Sequence, residues 1–470
     1  MTNAQGLAGS WKGVLEVGGM KLNLVFHVNT DNSVLMDSPD QGAMDIPTTV
    51  SCLTEDSVNV SLPQLAAQYS GKLRGNVLYG TFTQNGYSFP LNLERGEVKL
   101  SRPQTPQPPF NYTTEEVKIN NDGINPKTKK PYKAGGAVLS GTLTYPENFK
   151  KGMPVVVMIT GSGPQNRDEE IMGHKPFLVI ADYLARHGIA TLRYDDRGVG
   201  ESTGDFSASD TYDFMRDAAM AIAYLRDTRK FGKIGVLGHS EGGTIAYMLA
   251  ARKKADFLVS LAGPVLPGDT ILLRQNRDLM MKQGYSQAQV DNYCRGLWKV
   301  LNYKTSYYKI EHPQNGEKPK GVVSKLSDEK IFLLLMMGID IPDAMRKNLF
   351  AVMQQKSRWL DHWLLYNPAK DVRKVECPVM VLGGSNDLQV RSSSNLKAAR
   401  NLFFSSDNKF DKTDAVEKSL RASVIKEYPG LNHLFQPSAT GLPQDYGKIE
   451  TTISEEVLRD ISDWINKVAK

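Results

Sequence analysis

Lys233-Ile234-Gly235-Val236-Leu237-Gly238-His239-Ser240-Glu241-Gly242-Gly243-Thr244-Ile245-Ala246-Tyr247-Met248-Leu249-Ala250 is the stretch on which the fold turns. An apolar, β-branched run ends at Gly238 and an apolar helical pattern begins after Ser240, which puts the serine in a turn between a buried strand and a helix. The G-x-S-x-G spacing has a steric reason. A strand that reverses directly into a helix crowds the residues two before and two after the serine, and only small ones such as Gly238 and Gly242 fit there. Such an elbow lifts the hydroxyl clear of the sheet and aims the first N–H groups of the helix at any anion formed beside it. In a chain with 40 glycines the pentapeptide alone is equally a glycine-rich turn of any doubly wound sheet, so its surroundings have to decide.

Those surroundings alternate strand with helix. Upstream, Glu115–Ile119 and Ala137–Tyr145 read as strands, and Pro154–Thr160 is a continuous apolar run suited to a strand buried on both faces. Then come a helix carrying Phe177, Ile180, Ala181 and Leu184 on one side, a strand at Ala190–Tyr194, and a helix capped by Asp210. Downstream of the elbow, Phe257–Leu261, Cys377–Leu382 and Ser423–Tyr428 supply further strands. A helix from Thr452 opens on a Thr452-x-x-Glu455 capping box and carries the stripe Val457, Leu458, Ile461, Trp464, Ile465 and Val468. The alternation predicts an α/β fold with a mostly parallel sheet covered on both faces. Between the strands, Leu266 to Lys370 reads as helical, with Gln275–Gln283, Ser286–Leu301, Ser327–Met337 and Asp343–Tyr366 as candidates. A helical insertion at this point is expected to cap the catalytic edge, most of its apolar residues forming its own core and a minority lining an acyl pocket.

Residues before about 100 differ in character. Trp11–Val17, Lys21–Val28, Ser57–Leu62, Asn76–Phe82 and Tyr87–Leu93 are β-rich runs separated by Gly18-Gly19, Asp31-Asn32 and Asn85-Gly86. They predict a small antiparallel β-sandwich or barrel, and Gly9-Ser10-Trp11 resembles the Gly-x-Trp start of lipocalin-like barrels, where a packed tryptophan closing one end is the plainer role. Ser101-Arg102-Pro103-Gln104-Thr105-Pro106-Gln107-Pro108-Pro109 favours an extended spacer. The expected division is therefore 1–100 for the β domain, 101–110 for the linker, 111–265 and 371–470 for the core, and 266–370 for the cap.

Composition excludes several functions. A net charge of +6 over 470 residues is small, and no dense Lys/Arg stripe with interleaved aromatics speaks for nucleic acid. No run approaches the roughly 18 apolar residues of a membrane helix. Cys52, Cys294 and Cys377 are odd in number and far apart, which suggests neither a disulfide framework nor a metal site. The small-residue start Met1-Thr2-Asn3-Ala4-Gln5-Gly6, leading straight into a β domain, is the kind of start expected of an exported chain whose signal has been removed, with a cytoplasmic location as the alternative.

A serine hydroxyl needs a base near neutral pH, and the base needs a partner that fixes its tautomer and stabilises its cation. Of the seven histidines, His433 is the best candidate, in a glycine-containing loop (Pro429-Gly430-Leu431-Asn432-His433) after the last strand. His239 is expected to point away from Ser240, His187 to end a helix, and His27, His312 and His362 to serve the outer domain or the cap. Asp387 follows a buried strand, at the edge where α/β sheets place their ligands, whereas Asp371 precedes it and falls at the opposite end. Ser240, Asp387 and His433 then stand in the chain order of an α/β-hydrolase. The oxyanion donors are expected to be the backbone N–H of Glu241 and that of Ser162, with Gly163 letting backbone approach the substrate.

Thr160-Gly161-Ser162-Gly163-Pro164-Gln165, Gly173-His174-Lys175-Pro176-Phe177, Arg193-Tyr194-Asp195-Asp196-Arg197-Gly198-Val199-Gly200-Glu201-Ser202 and Gly238-His239-Ser240-Glu241-Gly242 together resemble bacterial carboxylesterases of the α/β-hydrolase superfamily, of the EstD type. The resemblance covers roughly 111–470 and is densest between 155 and 250. It implies the triad Ser240, Asp387 and His433, a substrate-side place for His174, a small-molecule acyl ester as substrate, and no metal or organic cofactor. Asn166 departs from the pattern, which often has Asp there. Two other functions compete. A serine aminopeptidase or acyl-peptidase would need fixed carboxylates for a substrate ammonium, for which Glu169-Glu170 are the candidates, and a ligand-binding protein could carry an inert hydrolase fold.

Overall fold

The computed structural model describes residues 6–17, 20–41, 43–98, 101–311, 326–404 and 420–470. Gly18-Gly19, His312 and the start Met1–Gln5 lie outside the described residues. The chain divides into two compact units: residues 1–104 with 171–174 and 443–451 form the first, and the remainder forms the second. The first ends at Gln104, close to the expected boundary, but it gathers two segments expected in the core. The helices expected as a separate cap belong to the second unit.

In the first unit, strands β1 (Gly9–Val17), β2 (Met20–Val28), β3 (Val34–Ser38), β4 (Ala43–Pro47), β5 (Thr49–Leu53), β6 (Ser57–Leu62), β7 (Ala67–Arg74), β8 (Val77–Gln84), β9 (Tyr87–Pro90) and β10 (Leu93–Arg95) make one antiparallel sheet. Its order is β4-β3-β2-β1-β10-β8-β7-β6-β5, with β9 beside β8. Trp11, Phe26, Tyr69 and Phe82 fill its apolar side. The Trp11 indole donates to the Leu7 carbonyl at 2.7 Å, so the tryptophan packs, as the plainer role has it. Strand β7 escaped the sequence because Gly71 interrupts its pattern, and the ring of Tyr69 occupies the space a side chain there would need.

In the second unit, β11 (Tyr112–Asn121), β12 (Ala137–Pro146), β13 (Val155–Ile159), β14 (Ala190–Tyr194), β15 (Ile234–His239), β16 (Leu258–Leu261), β17 (Val379–Gly384) and β18 (Val424–Tyr428) form a sheet in the order β11-β12-β14-β13-β15-β16-β17-β18. Strand β12 runs antiparallel to both its neighbours, β11 and β14, and all other pairs are parallel; β13 to β17 are buried throughout or nearly so because helices cover both faces. One face packs α2 (Thr211–Thr228), α3 (Glu241–Ala251) and α10 (Ser392–Phe404). The other packs α1 (Pro176–Arg186) and α11 (Glu455–Val468) through Val457, Leu458, Ile461, Trp464 and Ile465. This is the α/β-hydrolase fold. The capping box expected at Thr452 does not form: α11 starts three residues later, with Ser454 at its N-cap and no side-chain cap bond. The cap expected at Asp210 does form, and Asp213 makes it a reciprocal capping box.

The insertion folds as α4 (Gly268–Lys282), α5 (Gln287–Glu311), α6 (Asp328–Leu335), α7 (Asp343–Gln354), α8 (Arg358–Leu365) and a short α9 (Ala369–Val372). The single helix expected over Asp343–Tyr366 is two, because Ser357 leaves helical geometry and accepts from the Leu360 amide at 3.1 Å to start a new helix. Leu297, Val300, Leu301, Phe332, Leu349 and Leu360 form a core of the insertion's own. Among the described residues no helix is long and apolar enough to cross a membrane.

Candidate active site

The site assembles at the carboxyl ends of four parallel strands. The loop 160–170 follows β13, Ser240 follows β15, Asp387 follows β17 and His433 follows β18. Ser240 sits at φ 51°, ψ −120°, a conformation that L-residues rarely adopt, and its amide is held by the Leu261 carbonyl at 2.8 Å. The two glycines are required where the spacing placed them. A Cβ on Gly238 would stand 2.0 Å from the Gly242 carbonyl oxygen, and one on Gly242 would stand 2.0 Å from that of Ile159.

The Asp387 side chain is fully buried. Its Oδ1 accepts from the amides of Gln389 and Val390, both at 2.8 Å, and its Oδ2 lies 2.7 Å from His433 Nδ1. An acceptor on Nδ1 selects the tautomer that leaves Nε2 free to take a proton. Asn432, which sequence reasoning passed over, shapes the loop that presents the ring: its Oδ1 accepts from the amides of Leu434 and Gln436 at 3.0 and 2.9 Å. Asp371 packs elsewhere, with the Tyr366 hydroxyl at 2.7 Å.

The loop after β13 rests against Ser240. A Cβ on Gly161 would come within 3.3 Å of that of Ser240, so a larger residue there would crowd the hydroxyl. Asp196 spans the loop, its Oδ1 accepting from the Thr160 hydroxyl at 2.8 Å and its Oδ2 from the Gln165 amide at 3.0 Å. Burial pushes this carboxyl well above the usual carboxylate range. Asp195 in turn accepts from Arg167 through backbone and guanidinium, and Asp217 from Arg197. Asp195 and Asp196 are therefore scaffolding for this loop, while Arg197 ties their turn to α2. Asn166 keeps the turn that an Asp would make, its Oδ1 accepting from the amides of Asp168 and Glu170 at 3.0 and 3.2 Å.

Ser162 and Glu241, the expected oxyanion donors, are brought together, the Ser162 hydroxyl standing near enough to the Glu241 carboxylate to favour its charged form. That carboxylate is buried, accepting from Thr211 Oγ1 at 2.6 Å and, on both oxygens, from the Trp359 indole at 2.9 Å. Burial raises its pKa above the ordinary glutamate value against the pull of those donors. Gly163, at φ 95°, lines a small depression with Thr160, Phe214, Glu241 and Ile245. His174 corrects the sequence expectation. It has no exposed surface and lies in the first unit, Nε2 3.1 Å from the Tyr446 carbonyl, so it packs rather than meeting a substrate.

Glu169 departs furthest from expectation, and it does so through His239, which turns away from Ser240 as expected. His239 points into the site's framework, with Nδ1 2.9 Å from Glu169 Oε1, Nε2 3.0 Å from the His433 carbonyl, and its ring centroid 4.8 Å from that of His433. Burial alone would push His239 down, but the charge and hydrogen bond of Glu169 and the His433 carbonyl outweigh it, and the net shift is upward. Glu169 is 4% exposed, and the same Oε1 also accepts from the Gly161 amide at 2.7 Å. Glu170 is exposed and 3.4 Å from Lys175.

A family model described as X-Pro dipeptidyl-peptidase (S15 family) matches residues 135–402. Esterase EstD of Thermotoga maritima is 30% identical over 193 residues, 40% of this chain and 46% of that protein. An acyl transferase of Photobacterium leiognathi is 28% identical over 122 residues, 26% of this chain and 36% of that protein. The chain thus spans less than half the length of these curated relatives. Among solved structures, Est1E from Butyrivibrio proteoclasticus with ferulic acid bound aligns over 71% of this chain and 96% of that one, at 16% identity and a TM-score of 0.37. So loose a superposition adds nothing to the strand order above.

Proposed function

The chain belongs to the X-Pro dipeptidyl-peptidase (S15) family, and on that premise we propose that it is a serine hydrolase of small carboxylic esters, with Ser240 as nucleophile, His433 as base and Asp387 as its partner. The observation that carries this is the Asp387–His433 contact at 2.7 Å, on a carboxylate already tied down by two backbone amides, at the same sheet edge as the strained Ser240. His433 Nε2 takes the Ser240 proton as the hydroxyl oxygen attacks the acyl carbon. The N–H groups of Glu241 and Ser162 hold the oxyanion. His433 returns the proton to the leaving alcohol, and water activated by the same ring then hydrolyses the acyl-enzyme and restores Ser240. The steps use side chains, backbone amides and water.

The family's description makes amide cleavage the second reading, since the same triad cleaves peptides. It wants a carboxylate free to bind a substrate ammonium. The burial of Glu169 and its pairing with His239 favour the ester. All three triad members stand in order, which weighs against an inert binding protein.

The test is hydrolysis of p-nitrophenyl esters from acetate to decanoate, beside aminoacyl p-nitroanilides, with wild type and Ser240→Ala. Losing the nucleophile is expected to cost roughly 10⁴- to 10⁶-fold on esters. Faster turnover of the anilides would replace the ester reading with the peptidase one, and equal rates in the two proteins would end both.

A further inference from the structure

Two carboxylate–imidazole pairs stand side by side at this sheet edge, and the mechanism above uses only one. The second is a continuous chain of contacts: the Gly161 amide donates to Glu169 Oε1 at 2.7 Å, the same oxygen faces His239 Nδ1 at 2.9 Å, and His239 Nε2 faces the His433 carbonyl at 3.0 Å. It starts one residue before the proposed oxyanion donor Ser162 and ends on the backbone of the proposed base. Its middle member precedes Ser240 in sequence.

The chemistry of the partners fixes the protons. A carbonyl oxygen accepts only, and Glu169 Oε1 already accepts from an amide, so a ring between them satisfies both by carrying N–H on both nitrogens. That ring is an imidazolium, balanced by the Glu169 carboxylate in a pocket where both side chains are under a tenth exposed. Glu169 is held in the left-handed region, at φ 52°, to reach this position. Strain at a buried acid paired with the histidine beside Ser240 points to a demand of the site.

We propose that Glu169 and His239 are positioning residues, a buried ionic strut that fixes the oxyanion loop and the His433 backbone relative to each other about Ser240. The inference rests on the ester-hydrolase reading. The strut touches no reacting atom. It acts by holding the donor amide and the base in register as charge moves onto the oxyanion and the His433 ring. Removing the carboxylate's charge leaves the ring cation unbalanced. The ring then gives up a proton, and one of its two bonds becomes two lone pairs facing each other.

The experiment compares wild type, Glu169→Gln, His239→Gln and the double variant. It measures kcat and KM on the best p-nitrophenyl ester, the rate at which a fluorophosphonate labels Ser240, and thermal unfolding. Each single variant is expected to lose roughly 10- to 100-fold in kcat with KM within about threefold, and the labelling rate to fall in proportion. The double variant is expected to be no worse than the worse single, because one strut is broken in each. Folded single variants with kcat within about twofold of wild type overturn the strut, as does a loss confined to KM or a double loss equal to the product of the singles. Either single variant, if folded, decides the matter should the other not fold. Wild type lacking Ser240-dependent ester turnover would instead overturn the functional reading, and would be seen before any variant is compared.

Discussion

At the scale of single residues, environment has overridden ordinary chemistry in several places. His174 is the clearest. Burial, and then the charge of Arg102, push it down to about 4. In the unfolded chain the same ring titrates near about 6.5. As pH falls through that window the unfolded state takes up a proton that the folded state refuses, so stability is lost between roughly pH 6.5 and 4 and nothing is owed to this group at higher pH. The loss attributable to His174 is at most about 3 kcal/mol. His174→Gln is therefore expected to flatten the acid side of a plot of unfolding free energy against pH, measured by denaturant melts. An unchanged slope would mean that the buried ring is protonated as readily as a free one.

At the scale of elements, α8 is tied to the turn beneath it. Arg358 reaches Asp210 at 2.7 Å and Asp213 at 2.8 Å at the start of α2, and Trp359 donates its indole N–H to Glu241, whose backbone is the proposed oxyanion donor. The insertion and the turn after Ser240 thus share one side chain. Trp359→Phe keeps the ring's bulk and removes the donor, and a buried carboxylate short of one hydrogen bond is expected to cost about 1–3 kcal/mol. Glu241 already has a raised pKa, so its charged form is the unfavourable one and appears as pH rises. The deficit of the variant should accordingly grow with pH. Denaturant melts of both proteins at pH 5 and pH 8 would show this, and a deficit independent of pH would mean that packing, not the hydrogen bond, was lost.

At the scale of the molecule, the first unit is not a bead that can be cut from a string. The Arg102 guanidinium donates to the carbonyls of Met172 and Gly447, each at 2.8 Å, and of Ile449 at 3.4 Å, which ties the end of the β segment to both returning segments of its own unit. A chain beginning at Thr105 would leave Ile171–His174 and Pro443–Thr451 without the partners they fold against. Such a truncation is expected to express poorly or to melt well below the full chain. A soluble truncation with unchanged melting temperature and unchanged ester turnover would show the β segment to be dispensable.

Much of this was legible in the sequence. The alternation of buried strand and amphipathic helix, the small residues flanking Ser240 and the position of each candidate just after a strand are local properties, written in periodicity and side-chain size, and they determined the sheet, the elbow and which residues to suspect. Other features depend on which residues meet across long separations. Nothing near Glu169 in sequence announces that it will bury its carboxylate against a histidine 70 positions away, and Glu169-Glu170 looks the same whether solvated or buried. The break at Ser357 hides in a continuous apolar pattern, because a serine within a helix and a serine at its start differ only in backbone geometry. Periodicity reports the face a residue presents, and burial against a specific partner is decided only when distant segments close on each other. That is why the sequence alone could determine the hydrolase core, and only the tertiary structure could join Gly161, Glu169, His239 and His433 into one framework or draw His174 out of the expected site into the packing of the β unit.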